Sequence, residues 1–127
     1  MEANKIIITG AATRIGAAIA KKLSGPGVEM VIHYNSSKSA AEKLQKELSK
    51  NKTKVYLVKG DLAKEQDLKK IIKFSKLKLK YFDCLINNAS LFENDSLKNF
   101  SSKSWNQHID VNLKAPAYLT KEFSKNV

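Results

Sequence analysis

Lys5-Ile6-Ile7-Ile8-Thr9-Gly10-Ala11-Ala12-Thr13-Arg14-Ile15-Gly16 is the stretch that decides how this chain folds. Three consecutive isoleucines read as a buried strand, because a strand covered on both faces has no polar side to alternate with. The small residues after it make a tight loop. Ile15, Ile19 and Leu23, four apart, then mark one face of a helix that Gly25-Pro26-Gly27 ends. A strand, a small-residue turn and a helix in that order open a βαβ crossover.

The alternation continues outward. Glu29 to Tyr34 reads as a second strand, and Ser39-Ala40-Ala41-Glu42 has the spacing of a capping box opening a helix that buries Ala41, Leu44 and Leu48. Lys54 to Lys59 is a third strand, Leu68, Ile71 and Ile72 mark a third helix, and Phe82 to Asn87 is a fourth strand. A last helical stretch starts near Ser102, with Pro116 beginning or bending its final segment. The expected fold is α/β, a Rossmann-type doubly wound parallel sheet. With no repeat, linker or low-complexity segment, residues 1–127 read as one unit. The chain stops in a helix where a crossover should deliver a fifth strand. It therefore reads as a dinucleotide-binding half-domain, truncated after about four strands and lacking a C-terminal catalytic half.

Composition narrows the function. At 127 residues, 43% of them hydrophobic and 28% charged, the chain can build one core. No apolar run approaches the ~18 residues of a membrane span, and Met1-Glu2-Ala3-Asn4-Lys5 lacks the features of a signal peptide, so the expected compartment is the cytoplasm. One cysteine, Cys84, excludes an internal disulfide framework; with only His33 and His108 as histidines, no metal site is expected. Of the 23 basic residues behind the net charge of +11, all but Arg14 are lysine. Base reading leans on the arginine fork, so a nucleic-acid partner is not expected, and solvated helix faces account for the lysines.

The small residues after the first strand let backbone amides and a helix N-terminus approach a pyrophosphate, although the G-x-G-x-x-G spacing is absent. An NAD-selective fold carries an acid at the end of the second strand for the ribose hydroxyls. Here that stretch is His33-Tyr34-Asn35-Ser36-Ser37-Lys38, which has no carboxylate to repel a 2′-phosphate. NADP(H) is the expected cofactor.

The loop resembles that of the short-chain dehydrogenases/reductases, T-G-x-x-x-G-x-G, with Arg14 in place of the middle glycine as in the pteridine-reductase branch. Gly60-Asp61-Leu62 resembles the family's adenine-binding aspartate segment, and Asn87-Asn88-Ala89-Ser90 its N-N-A-G motif in the N-N-A-S form. Val111-Asn112-Leu113 resembles the helix asparagine that supports catalysis. The resemblance implies a cofactor floor of Gly10, Arg14, Ile15 and Gly16, with His33 to Ser37 around the 2′-phosphate. Asp61 and Leu62 would hold the adenine, and Asn88, Ala89 and Ser90 would complete the cleft. It also implies a catalytic assignment for Asn112 and a substrate site of Arg14, Ser90 and Phe92, the last stacking a pterin.

Structural readings stand beside these. Asp61 can cap the next helix, Asn87 and Asn88 can form a plain turn, Asn112 can pack in a bent helix, and Phe92 can anchor its loop. Trp105 reads as a core anchor, Cys84 as a buried structural thiol, and His108 has no assigned role.

What the resemblance implies is an NADPH-dependent oxidoreductase that transfers hydride to a pterin or similar small molecule, and a homo-oligomer when complete. Alternatives are a carbonyl reductase of the 3-oxoacyl-carrier-protein type and a non-catalytic dinucleotide-binding fragment. Tyr34 and Lys38 have the Tyr-x-x-x-Lys spacing of the family's catalytic pair. Tyr34 ends a strand, however, and the pair works only when one helical turn presents both side chains on one face. The isolated chain is therefore expected to be inactive.

Overall fold

In the computed structural model, which describes residues 3–127, the isoleucine run forms an inner strand, β1 (Lys5–Ile8). It pairs with β2 (Glu29–Tyr34) on one side and β4 (Cys84–Ile86) on the other, and β3 (Lys54–Lys59) lies beyond β2. All pairings are parallel and the order is β3-β2-β1-β4. The crossovers are α1 (Arg14–Leu23), α2 (Lys38–Ser49) and α3 (Glu65–Leu79). After β4 come α4 (Ser102–Ile109), a π-helical segment (Asp110–Lys114) and α5 (Ala115–Ser124).

The sheet is apolar on both faces because both are covered. Ile6, Ile8, Met30 and Ile32 pack with Ala20 of α1 and Leu44 and Leu48 of α2. Ile7, Val31 and Val58 point the other way, onto Leu68, Ile71 and Ile72 of α3 and Leu119 of α5. Strand residues alternate between two helix layers, which is why the β1 run is unbroken. From β1 the chain winds outward to β3 and then returns to β4. The direction thus reverses between β1 and β4, and the crevice at their carboxyl ends is where open α/β sheets bind ligands.

Several local expectations are corrected. Ile15 and Leu23 do not face the sheet: Ile15 is 67% exposed, and α1 buries Gly16 and Ala20 instead. Small residues bring this helix close to the sheet, so the face that packs is not the one with the largest side chains. α2 begins at Lys38 with Ser37 as N-cap and no side-chain capping bond, so Ser39 lies inside the first turn and the capping box does not form. Its buried residues are Ala41, Leu44 and Leu48, as the pattern predicts.

β4 is shorter than Phe82 to Asn87, since Phe82 leaves the ladder to stack on Phe123 at 5.8 Å. Pro116 falls in the first turn of α5, directly after the π-helical segment. Having no N–H to give, it removes one bond from the regular ladder where the helix widens. Trp105 is not a core anchor; it is exposed and lies against Phe100, with ring centroids 6.0 Å apart. Cys84 is half-buried, and burial, then the nearby Asp83 carboxylate, pushes its thiol pKa up. Among the described residues, no helix is long and apolar enough to cross a membrane.

Candidate cofactor cleft

Thr9 directly follows β1 and is the anchor of the cleft. Its buried hydroxyl accepts from the backbone N–H groups of Asn88 at 3.1 Å and Ala89 at 3.0 Å, tying the loop after β4 to the loop after β1. Asn88 returns the tie, its side-chain amide donating to the carbonyls of Thr9 and Gly10, both at 3.1 Å. The Asn88 NH2 is therefore spent on the protein's own backbone. Asn87 reaches outward, to the Thr120 hydroxyl at 3.3 Å.

Two glycines make this closeness tolerable. Gly10 has φ +62°, and a Cβ there would lie 2.9 Å from Ala89 Cα. A Cβ on Gly16 would lie 2.5 Å from Asn88 Nδ2 and 2.6 Å from the Gly10 carbonyl. Gly16 is thus fixed by the approach of α1 to the loop, as a phosphate-binding turn demands. Arg14 also sits in the left-handed region, at φ +53°, where a side chain is disfavoured.

The space above this floor is two adjoining cavities, of about 240 and 410 Å³. His33, Asn35, Ala89 and Ser90 line both. Gly10, Thr13, Arg14, Ile15, Gly16 and Asn88 complete the larger, while Asp61, Leu62, Leu91, Glu93, Gln107 and Val111 help line the other. The structure therefore brings together Gly10, Arg14, Ile15, Gly16, His33, Asn35, Asp61, Leu62, Ala89 and Ser90, with Asn88 at the floor.

The remaining assignments fare differently. Tyr34 lies beneath the loop, packed with Ala12 and Ala41, and lines neither cavity. Ser36 is exposed and Ser37 half-buried at the start of α2, beyond Asn35. Leu62 gives its side chain to the core beneath α3. Asp61 does not cap α3, whose N-cap is Lys64; Asp61 Oδ1 accepts from Ala63 N–H at 3.0 Å, and its own N–H donates to Asp67 Oδ2 at 2.8 Å. Phe92 is 80% exposed, which removes the loop-anchor reading.

The Asn112 side chain is engaged with the protein's own backbone. It sits in the π-helical segment, accepts from Leu91 N–H and donates to the Leu91 carbonyl, both at 2.8 Å. Its amide clamps the wall of the cleft. His108 does the same one turn earlier, donating from Nδ1 to Ser104 O at 2.7 Å and accepting at Nε2 from Glu93 N–H at 3.1 Å. Sequence reasoning missed His108, Glu93 and Gln107, since no pattern foretells which loop residue a helix will hold.

Tyr34 and Lys38 do not form a pair on one helical face. Tyr34 ends β2 in the core, whereas Lys38 opens α2 and points its ammonium toward Glu42 at 3.9 Å.

Comparison with known proteins agrees with this architecture. The short chain dehydrogenase family model matches residues 4–127. A 3-oxoacyl-[acyl-carrier-protein] reductase of Synechocystis sp. is 30% identical over 125 residues, covering 98% of this chain and 51% of that protein. Among solved structures, a short chain dehydrogenase from Burkholderia cenocepacia in complex with NADP superposes with a TM-score of 0.92 over 98% of this chain and 51% of its own, at 22% identity. FolM alternative dihydrofolate reductase 1 from Brucella canis, complexed with NADP, gives 0.87 over 96% of this chain and 49% of its own, at 29% identity. The chain spans about half the length of the curated relatives it matches. A match from Asn4 through Val127, on a backbone that superposes on dehydrogenases of this type, places the chain in the short-chain dehydrogenase family.

Proposed function

We propose that this chain is the cofactor-binding half of an NADPH-dependent reductase that acts on a small planar substrate of the pterin kind. The observation that carries the cofactor reading is the end of β2. Asn35 lines both cavities and is followed by Ser36 and Ser37 at the N-terminus of α2, with no carboxylate, while Arg14 lines the larger cavity beside Asn35. Amides, hydroxyls, a guanidinium and a helix N-terminus all favour a 2′-phosphate. The close approach at Gly10 and Gly16 leaves room for a pyrophosphate against backbone, so the residues present fit the dinucleotide.

When bound, the dinucleotide supplies the hydride. The chain's own residues bind and orient it: Gly10, Ile15 and Gly16 at the phosphates, Arg14 and Asn35 at the 2′-phosphate with Ser36 and Ser37 next in the chain, and Asp61 and Leu62 at the adenine. The Asn112 clamp on Leu91 holds the loop that carries Ser90 and Phe92 toward the substrate. Exposure of the Phe92 ring supports a stacking platform, and the likeness to a dihydrofolate reductase supports a pterin-like substrate. The 3-oxoacyl reductase likeness favours a second reading, reduction of an acyl thioester carbonyl. In either case we assign the proton donor to a part of the enzyme beyond these 127 residues, because the Tyr34 and Lys38 side chains are not set on one helix.

Titrating NADP+ and NAD+ tests the cofactor reading. A preference for NADP+ of roughly ten- to a hundredfold is expected from one charge-assisted contact, and equal or tighter NAD+ binding overturns it. Oxidation of NADPH by the complete enzyme with dihydrobiopterin or with an acetoacetyl thioester separates the two substrate readings.

A further inference from the structure

His33 is 2% exposed, yet both of its ring nitrogens are committed to the backbone of different loops. Nδ1 accepts from Gly10 N–H at 3.1 Å, and Nε2 donates to the Gly60 carbonyl at 2.8 Å. The main chain repeats the pattern: the His33 carbonyl accepts from Ala11 N–H at 3.1 Å, and Gly60 N–H donates to the Tyr34 carbonyl at 3.0 Å. The ring thus bridges the glycine loop on one side of the cleft and the Gly60-Asp61 turn on the other. It lines both cavities as it does so.

This bridge requires one protonation state. A carbonyl can only accept, so Nε2 carries the proton; an N–H can only donate, so Nδ1 must be bare. A second proton, on Nδ1, would face the Gly10 N–H donor to donor and push the loop off the ring. Burial pushes the ring's pKa below its ordinary value, against the opposing effects of the Gly60 carbonyl and the carboxylates of Asp61 and Asp67. Arg14, across the same cavity, is the cationic group that shares the cleft.

We propose that His33 is a positioning residue whose neutral imidazole holds the glycine loop and the Asp61 turn at the separation the dinucleotide needs, so that cofactor affinity falls when the ring takes up a proton. The inference rests on the cofactor reading above and adds to it a residue that controls the site without needing to contact the reacting atoms. Losing one backbone bond and opposing two donors corresponds to an affinity loss of about tenfold.

The test measures NADP+ binding to the full chain from about pH 7.5 to about pH 5, in wild type and in His33→Gln. A glutamine amide offers an acceptor and a donor but does not titrate. The cofactor's own 2′-phosphate titrates near pH 6, identically for both proteins, so the comparison removes it. Wild-type affinity is expected to fall more than that of His33→Gln as the His33 ring takes up its proton, by up to about tenfold once the ring is fully protonated, whatever the variant's absolute affinity. Equal ratios across the pH at which the His33 ring is seen to titrate overturn the inference while leaving the cofactor reading intact; no NADP+ binding by wild type near pH 7.5 overturns the cofactor reading itself. Nitrogen-15 spectra of the free chain provide a measurement that needs neither variant nor ligand. The Gly10 amide resonance is expected to move with the His33 imidazole titration, and a Gly10 resonance indifferent to it overturns the proposal.

Discussion

Replacing Arg14 by glycine should make the protein more stable and a poorer binder of NADPH, and the two effects can be sized separately. Arg14 holds φ +53°, in the left-handed region that costs a side-chain-bearing residue about 1–2 kcal/mol. Glycine removes that cost but gives back about 0.5–1 kcal/mol in the entropy of the unfolded chain. The net is a stabilisation on the order of 0.5–1 kcal/mol, or roughly 2–4 °C in Tm for a domain of this size. On the binding side, Arg14 lines the larger cavity with Asn35, and a charge-assisted hydrogen bond from its guanidinium to a phosphate would contribute about 1.5–3 kcal/mol. Its loss should weaken NADPH binding by roughly ten- to a hundredfold and NADH binding much less, since NADH has no 2′-phosphate. Thermal unfolding and paired cofactor titrations read both arms. A variant that melts lower than wild type refutes the strain argument. One that loses NADPH and NADH affinity equally refutes the assignment of Arg14 to the 2′-phosphate.

Gly16→Ala should destabilise by about 1–3 kcal/mol in urea titration, because its Cβ would sit 2.5 Å from Asn88 Nδ2; a change within ~0.5 kcal/mol would mean that the loop adapts. Thr9→Val keeps the shape but strands the Ala89 N–H, costing about 1–3 kcal/mol and weakening NADP+ and NAD+ alike, with Thr9→Ser restoring most of both; a selective loss of one cofactor would contradict the latch. Phe92→Ala should leave stability within ~0.5 kcal/mol, since the ring is exposed, and in the complete enzyme raise the KM for a pterin about fivefold; unchanged pterin kinetics would favour the carbonyl reading. Stability should also fall with acid in a way that His33 dictates. The folded-state pKa lies below the unfolded value, so the unfolded chain binds the proton first; this contribution is complete above about pH 6.5 and is lost as pH drops through the folded pKa. Urea midpoints in His33→Gln should show a weaker decline below about pH 6.5 than wild type, and parallel declines would assign the acid sensitivity elsewhere.

The fold was legible because its strands are buried on both faces. The bounds of β2 and β3 coincide with the apolar runs Glu29 to Tyr34 and Lys54 to Lys59, and the helices of the crossovers fall between them. What misled was local. Ile15 and Leu23 suggested a packing face for α1, but the helix approaches the sheet on Gly16 and Ala20, because close approach at this loop is achieved by absent side chains rather than large ones. At the site, residue types and spacing identified the members of the cleft. They did not say which atoms were already engaged. Asn88, Asn112 and His33 are polar residues around the proposed cofactor cleft, yet their hydrogen bonds go to backbone across sequence separations of 79, 21 and 23 residues. Such partners exist only once the chain is folded, so no motif exposes them.

That division of labour explains how the cleft can bind a charged ligand at all. Thr9, His33, Asn88, His108 and Asn112 direct their polar atoms to loop backbone, fixing the walls before any ligand arrives. A wall ordered in advance spares the ligand the entropy of ordering it. Contact with the cofactor then falls to two kinds of group. On the proposed reading, the main chain around Gly10 and Gly16 would meet the phosphates common to every dinucleotide, and give affinity with little choice. On the same proposal, Arg14 and Asn35, with Ser36 and Ser37 following, would stand where the dinucleotides differ, and would give choice with only a share of the affinity. The latch residues govern the first property and the β2 terminus the second, which is why substitutions at Thr9 and at Arg14 must part company when both cofactors are measured.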